Sequence, residues 1–165
     1  MSDRKGGFLI LASEPSLRVE EQDWSRLVLE AHMASREGTV GAAGRTATAR
    51  TLFERGTGAR TEISMLTDAA RRTVSFAIGR AEDGASRAWV VRLHVPPGAA
   101  VASATVDGTE ASSFATLEPI AGTDSAAHRP FGGAGAPPAA GAGRVAEVQL
   151  RASRLARSVE LAITY

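Results

Sequence analysis

Residues 87–95, with the sequence RAWVVRLHV, decide the fold class because large apolar side chains occupy every second position. The polar residues Arg92 and His94 fall at the positions between them. Successive side chains of a β-strand point to opposite faces of the sheet, so this pattern predicts a strand with one buried face and one polar face. The residues on the apolar face are Trp89, Val91, Leu93 and Val95.

The same period of two recurs elsewhere in the chain. It is clear in residues 73–78 and 159–165, and weaker in residues 8–11, 26–31, 51–54, 61–66, 102–106 and 146–150. Turn-forming residues separate several of these segments, as in Glu82-Asp83-Gly84, Pro96-Pro97-Gly98 and Asp107-Gly108. Many short strands with turns between them predict an all-β fold, an antiparallel β-sandwich.

The 165 residues are enough for a single domain with a sizeable core, which we predict to span residues 1–165. Two segments rich in Gly and Ala, residues 38–48 and 121–143, contain few large apolar side chains and are predicted to be long, flexible surface loops. Residues 22–33 also have the composition of a helix. The alternation of Leu27 and Leu29 favours a strand there.

Composition excludes several classes of function. The formal net charge is +1, Lys5 is the only lysine and the arginines are scattered, so the chain lacks the basic surface that holds a nucleic acid backbone. There is no Cys, which excludes disulfides, thiolate catalysis and zinc sites built on cysteine.

The apolar run at residues 8–12 is shorter than the ~7–15 residues of a signal-peptide core. No run reaches the ~18 apolar residues expected of a membrane span. We therefore expect neither nucleic acid nor a membrane as a partner, and the localisation stays unknown.

Residues that could perform catalysis or bind metal are few. The three histidines, His32, His94 and His128, have no metal-ligand spacing, and His94 is expected on the polar face of its strand. The acidic residues of 20–23 and 82–83 fall in predicted turns, where solvated carboxylates are the simplest interpretation. No pattern places two carboxylates across a pocket, as glycoside hydrolysis requires, and no calcium-loop motif is present. The sequence predicts no cofactor and no metal.

Aromatic side chains are the usual platform for a bound sugar, and Trp24, Trp89 and Tyr165 are the candidates. Trp89 belongs to an apolar strand face and is expected in the core. Trp24 follows an acidic turn and precedes a strand, so it is the candidate for an exposed, carbohydrate-binding ring. Packing of Trp24 against the neighbouring loop is the simpler interpretation, because one exposed ring is a weak platform for a sugar.

The chain contains, in this order, the segments GGFLI (residues 6–10), DWSRLVL (residues 23–29) and LFERG (residues 52–56). Together with the strand-like segments after them, they resemble the C-terminal β-sandwich region of glycoside hydrolase family 31, the α-glucosidase group. Residues 6–10 (GGFLI) resemble the stretch that follows the catalytic barrel, and residues 23–29 (DWSRLVL) resemble the strand that enters the C-terminal β-domains. Residues 52–56 (LFERG) lie where the family has Leu-Tyr-Glu-Asp-Asp-Gly, and residues 61–66 match the strand after it. Residues 72–78, 82–84 and 87–95 resemble the paired strands that follow in the family. Residues 106–108 resemble the turn of the family's next hairpin.

The resemblance implies a domain without its own catalytic residues, because the family's nucleophile and acid/base are Asp residues on the barrel. Residues 1–33 then correspond to strands that lead in from a barrel missing from this chain. Two features depart from the family: its acidic pair is reduced to Glu54-Arg55, and its usual proline is displaced to Pro15. The departure at Glu54, Arg55 and Gly56 weakens any turn-bracing or cation-binding role for these residues.

The expected function is therefore that of a non-catalytic accessory domain, which packs on and stabilises an α-glucosidase-like barrel that acts on α-glucosidic bonds. An independent carbohydrate-binding module that binds oligosaccharide through Trp24 is the alternative, and a complete hydrolase is a third. If a barrel normally covers the first strand, Phe8, Leu9 and Ile10 are expected to expose apolar surface and to allow self-association.

Overall fold

A computed structural model describes residues 7–14, 23–33, 44–53, 58–117 and 143–164 of the chain. These residues form eleven β-strands and no helix, and the strands make two sheets that pack as a β-sandwich. The all-β prediction is confirmed. Within the described ranges there is accordingly no helix of the length and apolarity that crossing a bilayer requires.

One sheet has five strands in the spatial order β1-β2-β6-β10-β9, and the other has six in the order β3-β4-β5-β11-β7-β8. The strands of the five-stranded sheet are β1 (Gly7–Ala12), β2 (Arg26–His32), β6 (Arg87–His94), β9 (Phe114–Leu117) and β10 (Val145–Ser153). Those of the six-stranded sheet are β3 (Arg45–Phe53), β4 (Arg60–Asp68), β5 (Thr73–Ile78), β7 (Ala100–Val106), β8 (Thr109–Glu110) and β11 (Arg157–Thr164).

The core lies between the sheets and is built by the predicted alternation. Along β6 every second residue is buried, and Trp89 is part of the core, as its strand face indicates. Val74, Phe76 and Ile78 face it from β5 of the other sheet. Burial of such a side chain contributes about 1.5–3 kcal/mol relative to exposure, so the alternation drives the two sheets together.

The sheets also contain one parallel pair among the described strands, which the antiparallel prediction did not include. β2 runs parallel to β6, with Leu29 opposite Val91 and His32 opposite His94. Three strands of the other sheet, β3 to β5, separate them in sequence. The chain therefore returns to the first sheet by a crossover, the kind of connection that a parallel pair of strands requires.

One segment boundary differs from the sequence prediction. The predicted loop at residues 38–48 is wrong for its last four residues, because β3 begins at Arg45 and pairs with β4 up to Asp68. Residues 34–43 lie outside the described part of the chain, as do residues 118–142, which include all of the second predicted loop except Gly143. At residues 22–33 the strand interpretation is confirmed, because β2 occupies Arg26–His32.

Two arginines connect the sheets with polar contacts. Arg87 is buried on the inner face of β6, and its Nη1 donates to Oγ1 of the buried Thr61 on β4 at 3.2 Å. At the edge of the sandwich, Arg50 of β3 donates from Nε to the carbonyl oxygen of Phe8 on β1 at 2.8 Å. Because β1 and β3 are the outer strands of the two sheets on this side, Arg50 joins their edges.

Candidate functional site

The outer face of β1 carries two exposed leucines at the edge of the five-stranded sheet. Leu9 is 54% exposed and Leu11 is 46% exposed, and they stand on the same side of the strand. Their neighbours on β2 in the pairing register are Glu30 and Val28. Leu9 and Leu11 are two large aliphatic side chains, two positions apart, on the outer face of an edge strand. They form a strip that a partner surface could cover.

Phe8 does not belong to this strip, which corrects the expectation that Phe8, Leu9 and Ile10 share an exposed surface. Phe8 is buried in the core and Ile10 is half-buried against it, while Leu9 points to solvent. The reason is the period of two, which places residues 8 and 10 on the inner face of β1 and residue 9 on the outer face.

Trp24 stands beyond one end of the β1–β2 pair and is 36% exposed. The backbone around it is held by two hydrogen bonds. The Ser25 carbonyl accepts from the Ala88 N–H at 2.8 Å, and the Ser25 N–H donates to Oδ1 of Asp23 at 2.8 Å. The large hydrophobic residues exposed in the described part of the chain include no second aromatic. Trp24 therefore offers one ring, without the second platform that would clamp a sugar.

A row of charged side chains crosses the same outer face, one strand away from Leu9. Glu30 of β2, Arg92 of β6 and Glu147 of β10 are opposite one another in the pairing register. Arg92 Nε donates to Glu147 Oε2 at 2.8 Å, and its Nη1 lies 3.9 Å from Glu30 Oε2. We call Glu30, Arg92 and Glu147, with the neighbouring His32 and His94, the outer-face cluster.

The two histidines of the outer-face cluster are stacked. His32 and His94 are paired across β2 and β6, and their ring centroids are 4.2 Å apart with an interplanar angle of 17°. His94 Nε2 also contacts Oε1 of Glu30. Although His32 is largely exposed, partial desolvation lowers its pKa, and the adjacent His94 lowers it further while Glu30 opposes the effect.

The Glu147 carboxylate of the cluster is suited to ion pairing rather than to acid–base catalysis. Burial opposes ionisation of Glu147, but hydrogen bonds from Gln149 and Arg92 outweigh it, so the pKa of Glu147 is lowered. A general acid requires the opposite shift, towards neutral pH. Arg92 stands between Glu30 and Glu147, in the place where a glycosidase would hold the bond to be cleaved.

The cluster is not arranged for a metal ion either. Among the described residues there is no group of three or more His, Asp or Glu side chains that could hold one. The stacking explains this, because the lone pairs of each imidazole lie in its own ring plane. Two nearly parallel planes 4.2 Å apart cannot direct both lone pairs at one ion at the ~2.0–2.1 Å of a metal–nitrogen bond.

Of the acidic turn residues considered in the sequence, Glu82 and Asp83 accept backbone hydrogen bonds, and Glu20 and Glu21 lie outside the described residues. Glu82 accepts from the Arg60 N–H at 3.2 Å, and Asp83 accepts from the Ala85 N–H at 2.9 Å. The turn-bracing candidates Glu54, Arg55 and Gly56 lie outside the described residues, as does His128.

Sequence reasoning missed the outer-face cluster as a unit. The period of two does put Glu30 with His32 on one face of β2, and Arg92 with His94 on one face of β6. Only the parallel pairing of these strands brings the two sets together, and no local signal encodes that pairing. No family model, curated protein or solved structure matches this chain.

Proposed function

We propose that this chain is a non-catalytic β-sandwich accessory domain that packs against a second domain, an α-glucosidase-like catalytic barrel, through the outer face of β1. The observation that carries the proposal is the exposure of Leu9 and Leu11 on the strand at the edge of the five-stranded sheet. The resemblance to family 31 glycoside hydrolases supplies the identity of the partner, because there the corresponding first strand directly follows the barrel.

The surroundings of the strip support a protein partner. Leu9 and Leu11 are bordered by the charged row that begins at Glu30. A protein interface commonly has an apolar centre and a polar rim, and its centre supplies most of the binding energy. The ion-paired Glu147 argues in the same direction, because its lowered pKa suits this face to binding rather than to turnover.

The test uses the barrel of a family 31 glycoside hydrolase from the same genome, expressed without its C-terminal β-domains. We expect calorimetry to detect binding of this chain, and we expect the melting temperature of the barrel to rise on binding. The double variant Leu9→Glu/Leu11→Glu should bind about tenfold more weakly or worse, because it places charges in the apolar centre. Leu155→Glu is the matched control, since Leu155 is 72% exposed in the β10–β11 turn. No binding, or equal weakening by the control, would refute the proposal.

A carbohydrate-binding module is the second candidate function, and the exposure of Trp24 is the observation that favours it. Titration with maltose-type oligosaccharides should then change the fluorescence of Trp24. The chain has two tryptophans and Trp89 is buried, so the variant Trp89→Phe assigns the signal to Trp24. Loss of the response in Trp24→Ala would support this function. An unchanged spectrum at saturating sugar would remove it and leave the accessory domain as the proposal.

A further inference from the structure

The stacked histidines stand where the β1–β2 hairpin is attached to the rest of its sheet. His32 ends β2 and His94 ends β6, and β2 is the strand that joins β1 to β6. The backbone continues the attachment by one residue, because the Met33 N–H donates to the His94 carbonyl at 3.1 Å. Any repulsion between the two rings acts on this end of the β2–β6 pair.

Among the described residues, the charges around the rings can balance one protonated histidine but not two. On β2 the charged neighbour is Glu30, on β6 it is Arg92 and on β10 it is Glu147, while β1 carries no titratable side chain. Glu147 and Arg92 neutralise each other at 2.8 Å. Glu30 is then the carboxylate that faces the rings and contacts His94. One added proton makes a His94–Glu30 ion pair, and a second leaves an unbalanced cation stacked on a cation.

We propose that the His32–His94 stack is an acid-sensitive contact, which holds the β1–β2 hairpin on the sheet at neutral pH and loosens it when both rings are protonated. The strip that contains Leu9 and Leu11 lies on this hairpin, so acidification changes the presentation of that apolar surface. This inference concerns the chain alone and does not depend on the nature of the partner.

The pH range follows from the direction of the His32 shift. Its pKa in the folded protein is lowered, so the unfolded or opened state takes up the proton first. The contact is fully present above the unfolded value of about 6.5. Stability is lost as the pH falls from about 6.5 towards the lower pKa of the folded state. Acid therefore favours the opened hairpin.

Amide hydrogen exchange of the full chain tests the proposal, with NMR titration of the imidazoles in the same sample. After correction for the intrinsic exchange rate, we expect the opening of β1 and β2 amides to increase about threefold or more between about pH 7.5 and about pH 5. Amides of β5 and β11 in the other sheet should change less. The imidazole titration should place the pKa of His32 below about 6.5.

Variants assign the effect to the stack. His32→Gln and His94→Gln each leave a single ring, so either variant should remove the pH dependence of opening in the hairpin. His128→Gln is the matched control, because it also removes one imidazole but leaves the pair intact. An opening equilibrium of the wild-type hairpin that does not change with pH would overturn the inference. So would an ordinary His32 titration, or a pH dependence that survives in both single-ring variants.

Discussion

At the scale of single residues, burial separates two leucines that look equivalent in the sequence. Leu161 of β11 is completely buried between the sheets, whereas Leu155 in the β10–β11 turn is 72% exposed. We expect Leu161→Ala to lower the free energy of unfolding by about 2–5 kcal/mol, because it removes buried apolar contact and leaves a cavity. Leu155→Ala should change it by less than about 0.5 kcal/mol. Chemical denaturation of both variants measures the difference, and similar losses would contradict the position of Leu161 in the core.

Asp68 provides a residue-scale prediction in which pH decides the outcome. Its Oδ1 accepts from the Arg71 N–H at 3.0 Å, and its Oδ2 accepts from Arg45 Nε at 2.8 Å. These hydrogen bonds, that of Arg71 first, lower the pKa of Asp68 in the folded chain. The carboxylate therefore stabilises the fold above the unfolded pKa of about 3.9, and this contribution is lost as the pH falls through the lower folded value.

The variant Asp68→Asn removes the charge but keeps the size of the side chain. We expect it to be less stable than the wild type near neutral pH. The difference should shrink as the pH falls below about 4, because the unfolded wild-type chain takes up a proton at Asp68 before the folded chain does. Denaturant titrations of both proteins at several pH values measure this. A difference in unfolding free energy that stays constant into acid would show that the charge of Asp68 contributes nothing to stability.

At the scale of strands, the edge contact between β1 and β3 depends on one side chain. Arg50 donates to the Phe8 carbonyl at 2.8 Å, and its guanidinium lies 5.8 Å from the centre of the Phe8 ring. That carbonyl points away from β2, towards the edge of the sheet, where it would otherwise be open to pairing with another strand. Arg50 therefore both attaches the hairpin and covers part of the edge.

We expect Arg50→Ala to increase hydrogen exchange in β1 and to lower the free energy of unfolding by about 1 kcal/mol, the typical net value of one hydrogen bond. Arg50→Lys keeps the charge but lacks the planar guanidinium, so it should recover only part of the protection. Arg60→Ala is a suitable control, because Arg60 is exposed on β4. Unchanged exchange in β1 would mean that β2 alone holds the strand.

The strands also show how far sequence reasoning reaches. The alternation in β5, β6 and β11 is strong because large apolar and polar residues exchange at each step, and all three strands form where it predicts. The start of β3 has the sequence RTAT at residues 45–48, where small and polar side chains give no contrast between faces. This strand forms because it pairs with β4, and no local pattern contains that tertiary influence.

The candidate site also has one part that the sequence pattern predicts and one part that it does not. Alternation alone would have put Leu9 outside and Phe8 inside, since the period of two applies equally to an edge strand. No local sequence pattern predicts the outer-face cluster, because the cluster depends on which strand lies beside β2. Glu30 and His94 are 64 positions apart in the sequence, and the parallel pairing of β2 with β6 brings them into contact.

At the scale of the whole molecule, pairing between distant segments should set the folding rate. Contacts in the sheets join Arg92 to Glu147, 55 positions away, and Ser75 to Glu160, 85 positions away. Each such pairing closes a long loop before the core is complete, and this entropy cost slows folding. The parallel pairing of β2 with β6 adds to this entropy cost, because three strands of the other sheet separate β2 from β6 in the sequence.

We therefore expect the main folding phase in water to take milliseconds to seconds, in the range of β-sandwiches dominated by non-local contacts. Stopped-flow fluorescence of Trp24→Phe measures it, because the remaining tryptophan, Trp89, is buried between the sheets. Val91→Ala, at a fully buried position of β6, tests whether the β2–β6 junction forms early. If it does, this variant should slow folding more than it speeds unfolding. Recovery of all the Trp89 signal within about 0.1 ms would contradict the prediction, since non-local sheets do not assemble on that timescale.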